Sequence, residues 1–555
     1  MKKGLFALIA LLIPIVTFAQ EDMGIDQKID QAFKPVSDFF SNLIFGSFND
    51  LLEYFSSNDF YLSYLNSFED SWFFPLLNAP FVIILLVFSA LFFTLYFVFP
   101  NIRFFDKAIN VVRGKYDHVD YASSGGSKLA IDGDIKDTIA DEIKEGEVTH
   151  FQALATAVSG TVGNGNIAGV ALAIALGGPG ATFWMVVCGL LGMSSKFVEC
   201  TLGVQYRDIG EDGTVYGGPM YYLSKGLKEK GFAVLGKVTA VLFAIFCIGG
   251  SFGGGNAAQS NQATIVLKEL IGWDSTSAGA IIGVVLAILV GVIIIGGIKR
   301  IASVTEKVVP FMAVLYLAAC LYIILSNFSL IDDAFSLIFR EAFNPQAIGV
   351  GGVIGVLLVG FKRAAFSNEA GAGSASIAHS AVKTKYSASE GLVALLEPFI
   401  DTVVICTMTA LVIIIYNFGG AFEYGGEGSV MIDGIAYEGA GITSKAFGQY
   451  IPYSNVFLTI AVVLFAVSTM ISWSYYGLQS WKFLFGRGKA ADLAYKFLFL
   501  GFVVIGAAAS MDSIWGFSDA MIFAMVFPNM VGLFFLFPIV KKELSRYLSA
   551  IKGSK

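Results

Sequence analysis

Ala155-Thr-Ala-Val-Ser-Gly-Thr-Val-Gly-Asn-Gly-Asn-Ile-Ala-Gly169 and Leu357-Leu-Val-Gly-Phe-Lys-Arg-Ala-Ala-Phe-Ser-Asn-Glu-Ala-Gly-Ala-Gly373 each interrupt a long apolar run with glycines and polar side chains. A glycine inside a helix costs about 1 kcal/mol relative to alanine. Clustered glycines and amides therefore predict that both helices unwind in mid-course. Inside a bilayer, unwound backbone is tolerated only where protein buries it or where it lines a cavity. Both stretches accordingly predict a built site.

The rest of the 555-residue chain fits a membrane setting, with 56% apolar and 14% charged residues. Soluble domains carry about 25% charged residues. Eleven apolar segments follow one another at about 79–99, 152–176, 181–203, 237–262, 278–298, 308–327, 346–368, 391–416, 454–478, 493–511 and 517–539. Each approaches the roughly 20 residues that cross a hydrocarbon core. Lys2 and Lys3 precede a short apolar stretch, Leu5 to Val16, and small residues allow a cut after Ala19. This is the pattern of a signal peptide, residues 1–19. Residues 20–78 read as a periplasmic extension of short interfacial helices.

Loop charge orients the chain, because Lys and Arg favour the cytoplasmic side. With the mature amino terminus outside, the inner loops carry Arg103, Lys107, Arg113 and Lys115; Arg207, Lys225, Lys228 and Lys230; Lys299, Arg300 and Lys307; Lys383 and Lys385; and Lys482, Arg487 and Lys489. The outer loops hold only Lys268, Arg340 and Lys445. This predicts a multi-pass protein of a bacterial inner membrane with a cytoplasmic carboxyl terminus. Residues 100–151 form a cytoplasmic loop and 540–555 a cytoplasmic tail. The stretches 116–148 and 418–443 read as ordinary solvated loops.

Setting aside the segment at 79–99, the two broken segments are the first and sixth of the remaining ten. Each half (152–327 and 346–539) is thus five helices and opens with a break. An odd number per half inverts the second half in the membrane, which places a site at the midplane between the breaks. Half-helix amino termini there can hold a carboxylate, and freed carbonyls can hold Na⁺.

Several other classes are excluded. Gly163-Asn-Gly165-Asn-Ile-Ala-Gly169 has one residue too many for a dinucleotide fingerprint and no soluble strand before it. No basic stripe suits nucleic acid, and no P-loop is present. The three histidines, His118, His150 and His379, have no metal-type spacing, so neither an enzyme site nor a resident cofactor is expected. The five cysteines show no C-x-x-C and read as free buried thiols.

Phe151-Gln-Ala-Leu, Gly163-Asn-Gly-Asn-Ile-Ala-Gly-Val, Ala175-Leu-Gly-Gly-Pro-Gly-Ala, Phe366-Ser-Asn-Glu-Ala-Gly and Ser472-Trp-Ser-Tyr-Tyr-Gly477 resemble the alanine/glycine:cation symporter family. The resemblance covers about residues 80–545. It implies an all-α leucine-transporter fold, a 5+5 inverted repeat preceded by one extra helix. It also implies symport of a small neutral amino acid, alanine or glycine, with Na⁺ as the coupling ion. Carried over by position, substrate would meet Thr161, Gly163, Asn164, Gly165, Gln259, Phe366, Ser367 and Trp473. Asn164 stands where the family has Thr, a departure that adds a donor and bulk. Sodium would take carbonyls near Ser159 and Val162 and the hydroxyls of Ser468 and Thr469. A proton-coupled amino acid carrier is the alternative.

Charges within spans are costly and point to function. Lys362, Arg363 and Glu369 flank the second break, and Glu397 and Asp401 lie in the next segment. Glu397 is expected to pair with Lys362 or Arg363, the alternative being that it takes a proton. Glu199 is expected to pair with Lys196 and Arg207, and His379 to end a cytoplasmic helix.

Overall fold

The computed structural model describes residues 24–55, 74–120, 146–273, 275–343, 352–426 and 428–553. The signal peptide 1–19, part of the extension and most of the loop 116–148 lie outside the described residues. Among the described residues, seven helices are long and apolar enough to cross a bilayer, and one bent pair makes an eighth.

In chain order, an amphipathic helix α1 (Ile25–Ile44) precedes a shorter apolar helix α2 (Phe81–Tyr96). Helices α3 (His150–Thr161) and α4 (Ala168–Gly177) are the two parts of the first broken segment. Then come α5 (Gly180–Gln205), a hairpin β1–β2 (Asp208–Ile209, Val215–Tyr216), α6 (Ala233–Ile271), α7 (Ala278–Ile294) and α8 (Gly297–Ser326). The second broken segment is α9 (Gly352–Asn368) and α10 (Ala375–His379), followed by α11 (Ser387–Asn417). A second hairpin β3–β4 (Ser429–Ile432, Ile435–Glu438) leads to α12 (Ala440–Gly448), α13 (Ser454–Phe485), α14 (Lys489–Ala508) and α15 (Met511–Gly553).

Both predicted breaks are present. Helix α3 starts on a reciprocal cap, in which Thr149 Oγ1 accepts from Gln152 N at 3.2 Å and Gln152 Oε1 accepts from Thr149 N at 3.1 Å. It stops at Val162, and the chain bends by 56° before continuing to Gly177. The second break is a turn at residues 369–374. Gly371 and Gly373 adopt φ of 90° and 91°, and Glu369 takes φ 53°, a left-handed backbone that a side chain rarely adopts. The ends of the two segments are tied together, since Glu147 N donates to Ala381 O at 2.7 Å and Lys383 N to Val148 O at 2.8 Å.

Helix α13 is buried along most of its length and packs on α3, α6 and α8. The stretch 418–443 is not the solvated loop expected from its glycines. Val430 and Ile432 alternate inward, and Ile442, Ala446 and Phe447 are buried. The segment is pinned over one end of the first broken helix: Gly425 N donates to Ala175 O at 2.8 Å, Thr443 Oγ1 to Ile167 O at 3.1 Å and Ala440 N to Gln262 Oε1 at 3.1 Å. The stretch 540–555, expected as a tail, continues α15 through Gly553. Its buried Val540, Leu544, Tyr547 and Ile551 recur at helical spacing.

Helix α1 packs on α15 and is held by charge at its start. Asp26 accepts from Gly279 N at 3.0 Å and Ala280 N at 3.1 Å, and Lys268 lies 3.3 Å away. It thereby caps α7 from a distant segment. Asp26→Ala is expected to cost about 1–2 kcal/mol, the range of a lost helix cap, read as a lower melting temperature of the purified protein. An unchanged melting temperature would show that the cap contributes nothing.

Candidate functional site

The broken segment α3–α4 meets α13 through oxygen atoms. Thr469 Oγ1 lies 3.0 Å from Ser159 O and 3.5 Å from Val162 O. Ser468 Oγ lies 2.9 Å from Phe465 O and 3.5 Å from Met312 Sδ, while Ser159 Oγ donates to Ser468 O at 2.8 Å. The unwinding after Thr161 frees the carbonyls of the last turn of α3; the Thr469 hydroxyl of α13 faces that end, while the adjacent Ser468 hydroxyl turns to Phe465 O and Met312. Every group in the set is neutral and oxygen-bearing apart from the Met312 thioether. Phe465 was not legible in advance, because its carbonyl joins through the turn that precedes Ser468.

At the break itself Gly163 leaves no room for a side chain. A β-carbon there would collide with Thr469 Oγ1 and come within 3.0 Å of Gln259 Oε1. Gly163 N donates to Asn166 Oδ1 at 2.9 Å. Asn164 N donates to Gln259 Oε1 at 3.0 Å, and Asn164 Nδ2 to Gln259 O at 3.2 Å. Asn164 Oδ1 is buried with no hydrogen-bond partner among the described residues. Gln259 follows a wide turn in α6 at Gly253–Ala257, and its Nε2 takes up Gly254 O at 2.8 Å. Gln259 is thus a helix–helix hydrogen bonder that fixes the first break.

The second break lies against the first. A β-carbon on Gly165 would rest 3.4 Å from Ser367 Cα. Phe366 stacks on Trp515 with centroids 5.1 Å apart, and the Arg363 guanidinium covers both rings. Trp473 is fully buried, seated against the bare backbone of Gly250 and Gly255, and its Nε1 donates to Glu369 Oε1 at 3.0 Å. Thr161 is buried too, but its hydroxyl turns back to Ala157 O and Val158 O in its own helix at 3.3 and 3.4 Å. Seven of the eight residues thus gather around the two breaks, and the Thr161 hydroxyl does not face them.

Asp401 joins both breaks from α11. Asn166 Nδ2 donates to its Oδ1 at 2.6 Å, Ser367 Oγ reaches both its oxygens at 3.1 and 2.9 Å, and Thr402 Oγ1 donates at 2.7 Å. The sequence marked Asp401 as a costly buried charge but gave no partner, and Asn166 went unremarked as a contact residue.

The other charge pairings differ from expectation. Glu397 does not meet Lys362 or Arg363. Those two bind Asp519 on α15 at 3.1 and 2.6 Å, while Glu397 faces α5 and accepts from Lys196 at 3.0 Å. The two positions lie on different sides of their helices, a separation that proximity in sequence does not reveal. Glu199 lies 3.8 Å from Lys196, but Arg207 binds the carbonyls of Ser380 and Thr384 instead. His379 does end α10, yet it is fully buried and bonded to Glu390 at 2.5 Å. All five cysteines are free and buried, as read from the sequence.

Residues 67–555 match the profile of the sodium:alanine symporter family. The sodium/alanine symporter AgcS of Methanococcus maripaludis is 38% identical over 470 residues, covering 84% of this chain and 94% of that protein. The amino-acid carrier protein AlsT of Bacillus subtilis is 32% identical over 488 residues, covering 86% and 93%. Among solved structures, MhsT in complex with L-phenylalanine aligns with a TM-score of 0.44 at 15% identity, over 72% of this chain and 99% of that one.

Proposed function

The chain belongs to the sodium:alanine symporter family, and on that premise we propose that it is a sodium-coupled symporter of a small neutral amino acid, alanine or glycine, working by alternating access. It is a multi-pass membrane transporter and not an enzyme. The observation that carries the finer reading is the meeting of the two breaks, Gly165 against Ser367, beside the Thr469 hydroxyl of α13 that touches the freed carbonyls of α3.

In this reading Na⁺ takes Ser159 O, Val162 O, Ser468 Oγ and Thr469 Oγ1, with Phe465 O completing a neutral cage. Neutral oxygens suit a monovalent hard cation that must be released again. The amino acid carboxylate takes the positive end of the half-helix α4 and the backbone around Gly163 to Gly165. The unbonded Asn164 Oδ1 is an acceptor for its ammonium. Trp473 and Phe366 bound the side-chain space, which favours small substrates. The arrangement reads as two five-helix units, α3 to α8 and α9 to α15 without α12, with α2 outside both. One unit rocks against the other around the fixed site. A cation moving down the membrane potential gains about 2.3 kcal/mol per 100 mV, enough to drive uphill uptake without ATP. In the same reading the protein lies in the bacterial inner membrane with its mature amino terminus in the periplasm, which the Lys and Arg of the inner loops support.

The test is binding of an amino acid panel to the purified carrier with Na⁺ and with choline in its place. Alanine or glycine is expected to bind tightly only in Na⁺. Undiminished binding and uptake in choline would remove the sodium reading in favour of a proton-coupled carrier. Asn164→Thr is expected to change selectivity across the panel while membrane insertion stays normal. If affinity and selectivity are both untouched, Asn164 is not in the pocket.

A further inference from the structure

Helices α5, α10 and α11 enclose a set of charged side chains that the sodium mechanism does not use. Glu199, Glu369, Glu390 and Glu397 share this interior with Lys196, His150 and His379, all buried. The links are direct contacts from Lys196 outward, and the second break joins them through electrostatic reach. Lys196, Glu397 and Tyr476 lie within electrostatic reach of Glu369. Lys196 Nζ donates to Glu397 Oε1 at 3.0 Å, and Glu397 Oε2 lies 3.6 Å from His379 Nε2. His379 Nδ1 bonds Glu390 Oε1 at 2.5 Å, and Glu390 Oε2 bonds His150 Nδ1. His150 lies 3.7 Å from Asp120 and lines an open cleft of about 330 Å³ with Asp117, Thr149 and Lys383. That cleft is on the face that loop charge assigns to the cytoplasm.

Charge balance shows what this set must contain. Lys196 and the two histidines, when protonated, supply at most three positive charges against five buried carboxylates, the four glutamates and Asp120 beside His150. Net charge in a water-poor interior is costly, and such groups neutralise instead. At least one of the four glutamates therefore carries a proton. Glu397 and Glu390 each have a cationic partner in hydrogen-bond contact, and Glu199 has Lys196 at 3.8 Å and Asn529 Nδ2 at 3.2 Å. Among the described residues, Glu369 touches no cation. Its partners are the neutral Ser374 hydroxyl and the Trp473 indole. This is the geometry a carboxylic acid wants, since Oε1 accepts from Trp473 and Oε2–H can donate to Ser374 Oγ, which accepts as well as donates. The other titratable groups near it are the thiol of Cys247 from α6 and the phenol of Tyr476 from α13. Arg207 stays outside the set, on the carbonyls of Ser380 and Thr384.

We propose that Glu369 is a proton-binding site loaded and unloaded in each transport cycle, so that a proton accompanies the amino acid and Na⁺. This rests on the carrier reading above. The proton comes from the outer solution while the breaks face outward, and no bond other than O–H is made or broken. When the breaks open inward, Glu369 loses it to Glu397, and it passes along His379, Glu390 and His150 to the cleft. Lys196 stays charged and holds Glu397 and Glu199 in place. The site is tied to the pocket because Glu369 both forms the second break and holds the indole of Trp473.

The experiment uses the full-length protein in proteoliposomes with equal Na⁺ on both sides, the membrane potential clamped and a pH dye inside. L-alanine is the probe. An acid-outside gradient is expected to speed alanine uptake, and alanine entry to acidify the lumen by about one proton per alanine, the capacity of one carboxyl group. In Glu369→Gln the ratio of protons to alanine falls to near zero, whatever the rate of uptake. His379→Gln is expected to slow proton release and shift the pH profile of uptake. Sodium-driven uptake that neither acidifies the lumen nor responds to the pH gradient overturns the proposal and leaves the sodium reading intact. So does a Glu369→Gln protein that acidifies like the wild type. Absence of alanine uptake under either gradient refutes the carrier reading on which the proposal stands.

Discussion

Lys196→Met is expected to destabilise the purified protein by about 3–5 kcal/mol, the cost of stranding one side of a buried ion pair. Lys196 is fully buried, 3.0 Å from Glu397 and 3.8 Å from Glu199, and Glu369 also feels its charge. Methionine fills a similar volume, so packing changes little and the effect isolates the charge. Removing it leaves Glu397 with only His379 to balance it. The double variant Lys196→Met/Glu397→Gln is expected to recover much of the loss, because the stranded carboxylate becomes a neutral amide. Melting temperatures of the single and double variants in one detergent check this. A single variant that melts with the wild type would mean that the interior holds its carboxylates protonated without help from Lys196.

Thr469→Val is expected to raise the Na⁺ concentration for half-maximal uptake by about tenfold or more, with the protein folded and inserted. The substitution keeps the side-chain shape and deletes one oxygen. That oxygen is the atom of α13 nearest to the freed carbonyls, at 3.0 Å from Ser159 O and 3.5 Å from Val162 O. Losing one neutral ligand removes about 1.5–3 kcal/mol, the value of a hydrogen bond to a charged group, and 1.4 kcal/mol is a factor of ten. The deletion also removes one of the hydrogen bonds between α3 and α13, the bond from Ser159 Oγ to Ser468 O remaining, so a fall in melting temperature of the Na⁺-free protein reports that structural part separately. Unchanged sodium dependence would take Thr469, and with it this end of the break, out of the ion site.

The breaks were legible because glycine and asparagine in the middle of an apolar run have one physical meaning, and 162–163 and 369–374 unwind as read. Thr469 does adjoin the carbonyls of the first break, whereas the Ser468 hydroxyl turns to Phe465 O and Met312. Pairing between segments was not legible. Glu397 was matched to the cations within the preceding span, Lys362 and Arg363, yet the direction in which a helix presents a residue depends on its rotation against neighbours. Lys196, some 200 positions away on α5, is its partner. The glycine-rich stretch 418–443 was misjudged for a related reason. Its glycines and acids look solvated, while the short alternation Val430, Ile432 and the apolar face of α12 carry the burial. Asp401 was seen as a cost, but two of its three donors, Asn166 and Ser367, come from two other segments.

Helix α1 has a bearing on how the protein is made. Ser41 Oγ donates to Gly516 O at 3.0 Å, and Asp30 accepts from Ser510 at 2.7 Å, so helix α1 rests on the start of the far later α15. Such a contact spans almost the whole chain and is the slowest kind to form. During synthesis α1 stays unpaired and amphipathic until α15 has been made. Its seating therefore marks completion of biogenesis, and a quality-control protease that recognises the loose helix would single out chains whose carboxyl end never arrived.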